Sequence, residues 1–271
     1  MIPGVWMRKC LFPLLFLFSS CVDIPLQEGP ATENVVIPYK GLEPGAVEQE
    51  SAHFRLRAYS SETARKYSDL AEQLYSTVMS DTGLYSFVPG NPYEIIVYRD
   101  KAEFVRKTSS PEWSGGITYG NAILLYEHDR YPAILAHEIT HLIFNEFMED
   151  YGRNNYFFIN EGVAVYEERK AYTESDFYYR GLVDSQVRKA PISFLQMMSY
   201  KPLGVPAEVE KWYAQCSSVA EYMLKKEGGF KFYIFLKNLK SGKDIDAAFR
   251  DAYPGSWNGY KELEEKWLSS L

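Results

Sequence analysis

The sequence predicts an α+β fold in which a small mixed sheet is followed by a mostly helical half. Three observations carry that expectation. Residues 53–59 alternate polar and apolar side chains and residues 93–98 form an apolar run, both strand signatures, with a stretch of helical period between them. Beyond Pro132 almost every apolar series recurs at helical spacing instead. The chain has 271 residues, 46% of them hydrophobic and 16% aromatic, enough to build a substantial core without cross-links.

The elements follow in order. Arg8 and Lys9 precede an apolar run, Leu11 to Phe18, broken only by Pro13, and Ser19 and Ser20 stand before Cys21. A basic start, a short apolar stretch and small residues describe a secretory signal over residues 1–20, too short for a permanent membrane span. The run Leu17-Phe18-Ser19-Ser20-Cys21 also resembles a bacterial lipobox, with Phe18 where Leu is usual. On that reading Cys21 is the lipidated first residue of an exported, membrane-anchored protein, and the other reading is an ordinary signal peptide. Residues 21–51 carry Pro25, Pro30, Pro38 and Pro44 with little periodicity and are expected to form a flexible tether, with a short extended piece at Val35-Val36-Ile37.

One domain is expected over residues 52–271, a sheet half at 52–130 and a helical half at 131–271. His53 to Tyr59 reads as a strand, Ala64 to Val78 as a helix, and Tyr93 to Tyr98 as a second strand. A short helix follows at Ala102 to Lys107, then a turn at Ser114-Gly115-Gly116 and a strand at Ala122 to Tyr126. Pro132 opens a helix to about Phe147. Further helices are expected at Ile159 to Lys170, Ile192 to Met198, Val209 to Lys226, Phe230 to Leu239, Ile245 to Asp251 and Tyr260 to Ser269.

The net charge of −7 argues against a nucleic-acid partner, which would need clustered Lys and Arg. Of three cysteines, Cys10 would leave with the signal and Cys21 would carry lipid. Cys216 then stands alone, and no intramolecular disulfide is expected.

The chemistry concentrates at His137-Glu138-Ile139-Thr140-His141. Histidines four apart on a helix share a face and can reach one ion, while Glu138, offset by one, can approach a water on that ion. Random placement of this chain's His and Glu would give the pattern only roughly 0.004 times. Two unrelated surface histidines are therefore the weaker explanation. Catalytic zinc needs a third protein ligand and an open position. Glu161 lies 20 positions beyond His141, in the apolar setting Phe158-Ile159-Asn160-Glu161-Gly162-Val163-Ala164. A buried carboxylate there would be costly without a partner, which one bound zinc ion would supply.

His137-Glu138-x-x-His141 followed by Asn160-Glu161-Gly162 resembles the gluzincins, the thermolysin-like metallopeptidases, and within them the peptidase-MA-like domains of bacterial exported proteins. The resemblance covers about residues 52 to 271. It implies a thermolysin-like fold, zinc, and hydrolysis of a peptide or protein substrate in a cleft between the two halves. The stretch from Trp212 to Met223 is similar to a helix start that follows the metal ligands in this family. By that match Tyr213 would steady the reaction's oxyanion. Gly115 to Asn121 matches the position of the edge strand that pairs with substrate in gluzincins. The Gly-x-Met-Glu-Asn signature of the zinc aminopeptidases is missing there, which puts aminopeptidase action in doubt. His53 and His128 have no matching partners and are expected at the surface. Two other functions stay open: a membrane-tethered binding protein that holds zinc without turnover, and a structural lipoprotein without stoichiometric metal.

Overall fold

Alternation along β2 (Phe54–Ala58) buries Phe54, Leu56 and Ala58 on one face, as the polar–apolar sequence requires. The structure, a computed structural model, describes residues 39–85, 87, 89–112, 114–149, 156–199 and 205–271. The expected signal, Cys21 and the Val35–Ile37 piece lie outside them. Around β2 a five-stranded sheet forms in the order β1-β2-β3-β5-β4. Its centre is parallel, β2 with β3 (Tyr93–Tyr98) and β3 with β5 (Ala122–Tyr126). Both edges, β1 (Val47–Glu50) and β4 (Gly116–Tyr119), run antiparallel to their neighbours.

The two faces of the sheet separate cleanly. Ile95, Val97, Ile123 and Leu125 join the main core beneath α1 (Ser61–Thr82) and α3 (Tyr131–Met148). Ile96, Tyr98, Leu124 and Tyr126 form a smaller outer cluster with Phe104 of α2 (Lys101–Thr108). Helix α1 starts where Ser60 accepts from the Thr63 amide and stops at Gly83, whose φ of 75° suits a residue without Cβ.

The helical half continues with α4 (Phe157–Ala171), α5 (Thr173–Leu182), α6 (Phe194–Ser199), α7 (Pro206–Glu227), α8 (Gly229–Lys240), α9 (Ile245–Ala252) and α10 (Tyr260–Leu268). Cys216 sits unpaired and buried in α7. Among the described residues no helix is long and apolar enough to cross a membrane.

Three elements depart from the sequence expectation. Residues 39–50, expected to end a tether, pack onto the domain: β1 pairs with β2, Lys107 Nζ donates to the Gly41 carbonyl at 2.8 Å, and Tyr98 Oη donates to that of Lys40 at 2.8 Å. Strand β1 exposes most of its side chains, so its ladder is backbone-driven and leaves little apolar signal. The residue pattern alone gives a turn at 114–116 and no strand before Ala122, whereas Gly116–Tyr119 is an edge strand, as the family resemblance implies. Finally, α5 and the π-helical turn Val183–Val187 after it were not expected, because α5 buries only Ser175 and Leu182.

Candidate metal centre

Helix α3 is buried on nearly every face, so its polar residues have no solvent to turn to. His137 and Glu138 are 0% exposed and His141 is 3% exposed. Their helical spacing brings the two imidazole centroids to 4.8 Å. Helix α4 lies against α3 and presents Glu161, 1% exposed, to the same point.

The atoms that meet there are His137 Nε2, His141 Nε2 and Glu161 Oε2. Each nitrogen is 3.6 Å from that oxygen, and all three are buried without a hydrogen-bond partner. Ligands about 2.0–2.1 Å from a tetrahedral zinc ion stand roughly 3.4 Å from one another. The group therefore fits a zinc-sized ion, and three buried, orphaned polar atoms are what such an ion would satisfy. Among the described residues, this is the one cluster of its kind within metal-binding reach.

The outer atoms of these side chains are held as well. His137 Nδ1 lies 3.2 Å from Glu168 Oε2, and His141 Nδ1 lies 2.8 Å from Asn160 Oδ1. With the proton on Nδ1, both histidines turn an Nε2 lone pair toward the centre. Asn160 in turn donates to Asn145 at 2.9 Å, and Glu168 accepts from Ser175 of α5 at 2.9 Å. Glu138 accepts a 2.7 Å hydrogen bond from Thr118 of β4.

The electrostatics favour a cation. Burial by itself opposes a charge on His137, but Glu161 and Glu168 outweigh it and raise its pKa to about 10. His141 also shifts upward, where Glu161 and then Glu138 outweigh the burial cost and the opposing effect of His137. Burial opposes the charge on Glu161 too, yet the two histidines hold it down at about 2. Positive charge belongs here, whether on protons or on an ion.

Gly162 explains how α4 comes so close to α7. A Cβ at that position would lie 2.7 Å from the Cys216 carbonyl oxygen. Tyr213 stands one turn before Cys216 on α7, 6% exposed, with its ring edge-on to Trp212 at 5.3 Å. A second phenol, Tyr179 of α5, is pushed well up by burial and by the charges of Glu168 and Glu161. The remaining histidines are not free at the surface. His53 Nδ1 meets Glu72 at 2.7 Å and its ring stacks on Tyr75. His128 is half-buried, which lowers its pKa to about 4.

Sequence reasoning gave no role to Glu168, Ser175 or Thr118. Glu168 follows Glu161 by seven positions, two helical turns on one face, a signal that could have found it. An open cavity of about 570 Å³ near Arg180, Arg188, Glu221 and Trp267 contains none of the metal-centre residues.

The buried His137, His141 and Glu161 of this α+β chain could hold a metal ion. The model of the Peptidase MA superfamily matches residues 71–271, and the chain belongs to that superfamily. Membership points to metallopeptidase chemistry. No curated protein matches the chain.

Proposed function

We propose that this protein is a zinc-dependent peptidase of gluzincin type, with its active site between the sheet half and the helical half. The observation that carries the reading is the convergence of three orphaned buried atoms from His137, His141 and Glu161. These residues would hold one zinc ion, and their single negative charge leaves it electron-poor. Zinc, when bound, supplies Lewis acidity that acidifies water and polarises the scissile carbonyl. Glu138, next to His137 and outside the ligand set, takes the proton of the attacking water and delivers it to the departing amine. Tyr213 donates a hydrogen bond to the developing oxyanion.

The superfamily match and the intact Glu138 favour turnover over mere metal storage, since a binding protein has no use for the base. In the same proposal the lipobox-like run makes Cys21 the lipid anchor of an exported protein that meets peptide or protein substrates outside the cytoplasm.

Zinc content and cleavage of a random peptide library test the activity. Wild type should carry about one zinc per chain and cleave, as catalytic sites of this kind do. Glu138→Gln should keep the zinc and lose turnover. Zinc without cleavage in wild type would favour a tethered binding protein instead.

A further inference from the structure

Thr118 and Glu138 are 20 positions apart in sequence and touch through a strand–helix contact. Along β4, Ile117 and Tyr119 face the outer cluster, which leaves Gly116 and Thr118 facing α3. A Cβ on Gly116 would lie 2.6 Å from Ile134 Cγ2, so the strand rests directly on the helix there. Two strand residues advance about 6.6 Å and four helix residues about 6 Å. The step from Gly116 to Thr118 therefore keeps pace with the step from Ile134 to Glu138. That match delivers the Thr118 hydroxyl to Glu138 Oε2 at 2.7 Å, between side chains that are 9% and 0% exposed.

A threonine hydroxyl has one proton to give. Spent on Oε2, it fixes the plane of the Glu138 carboxylate and hence the direction in which protons are taken and returned. Among the described residues β4 has one ladder neighbour, β5, so its outer edge is where an extended peptide would pair. Thr118 joins that edge to the base.

We propose that Thr118 is a positioning residue for Glu138: its buried hydroxyl, set by the register of β4 on α3, orients the carboxylate for proton transfer. The inference rests on the reading of Glu138 as the base. It would be tested on the full-length zinc-loaded protein with Thr118→Val, which keeps the shape and removes the donor, and Thr118→Ser, which restores it. Thr118→Val should lower kcat roughly tenfold to a hundredfold with KM within about twofold and zinc content unchanged, while Thr118→Ser stays within about threefold of wild type.

A second readout needs no turnover. Acetohydroxamate chelates zinc and shares its proton with the adjacent carboxylate, so Thr118→Val should weaken its binding several-fold in wild type and not in a Glu138→Gln background. Wild-type kcat in Thr118→Val, equal loss in Thr118→Ser, or the same loss of hydroxamate affinity with and without Glu138 would each overturn the assignment. Zinc without any peptide cleavage would sink the peptidase reading alone and leave the hydroxamate cycle to decide on Thr118. A wild-type chain that takes no zinc would sink both.

Discussion

Glu168 is the residue through which the cluster of His137, His141 and Glu161 reaches beyond the three candidate ligands. It accepts from His137 on one oxygen and from Ser175 on the other, and Arg130 Nη2 stands 3.5 Å away. Such a partner fixes the ring and raises its basicity, so Glu168→Gln should weaken zinc affinity about tenfold to a hundredfold. Competition with a chromophoric chelator would measure it, and unchanged affinity would show the contact to be incidental. Tyr213→Phe probes a different step: if the phenol steadies the oxyanion, kcat should fall about a hundredfold with zinc content intact. Legibility at this scale followed spacing. His137, Glu138 and His141 could be read because one helix holds all three, and Glu161 because an acid in an apolar stretch needs a partner. Thr118 could not, since its contact depends on how a strand is seated on a helix.

The elements carrying the ligands are held at short range by small residues. Gly162 faces the Cys216 backbone, an obstacle that cannot swing aside, so Gly162→Ala must push α4 and α7 apart. The expected loss is about 1–3 kcal/mol of stability. Because Glu161 is the preceding residue, zinc stoichiometry should fall together with the melting temperature. A variant that melted early but kept full zinc would separate packing from the metal centre. Elements with a continuous apolar face were readable: α1, β3, α3, α4 and α7 all lie where the periodicity placed them, within a few residues at their ends. Elements that bury little were not. Strand β1 buries almost nothing and α5 offers no apolar stripe, although Ser175 on α5 completes the surroundings of Glu168.

At the scale of the whole molecule, the sheet half and the helical half meet along α3 and again where the end of α1 reaches α4 and α8. Gly83 and Gly229 approach so closely that a Cβ on either would strike the other's backbone. Beside them Lys170 of α4 is paired with Asp81 of α1, and Glu167 lies 2% exposed with one oxygen unpartnered. This joint was invisible in the sequence because Asp81 and Lys170 are 89 positions apart. It has a measurable consequence. Burial raises the pKa of Glu167 to about 8 from an ordinary 4.5; Lys170 pulls it down, and Asp81 pushes it up. Between those two values the folded chain binds a proton that the unfolded chain releases. The group's contribution is therefore fully present below about pH 4.5, declines as pH rises, and is gone above about pH 8. Glu167→Gln keeps the shape without the charge, so it should match wild type at acid pH. Near pH 8.5 it should be more stable by roughly 2–4 kcal/mol. Denaturant unfolding at the two pH values would measure the difference, and an equal effect at both would mean that Glu167 stays ionised where the halves join.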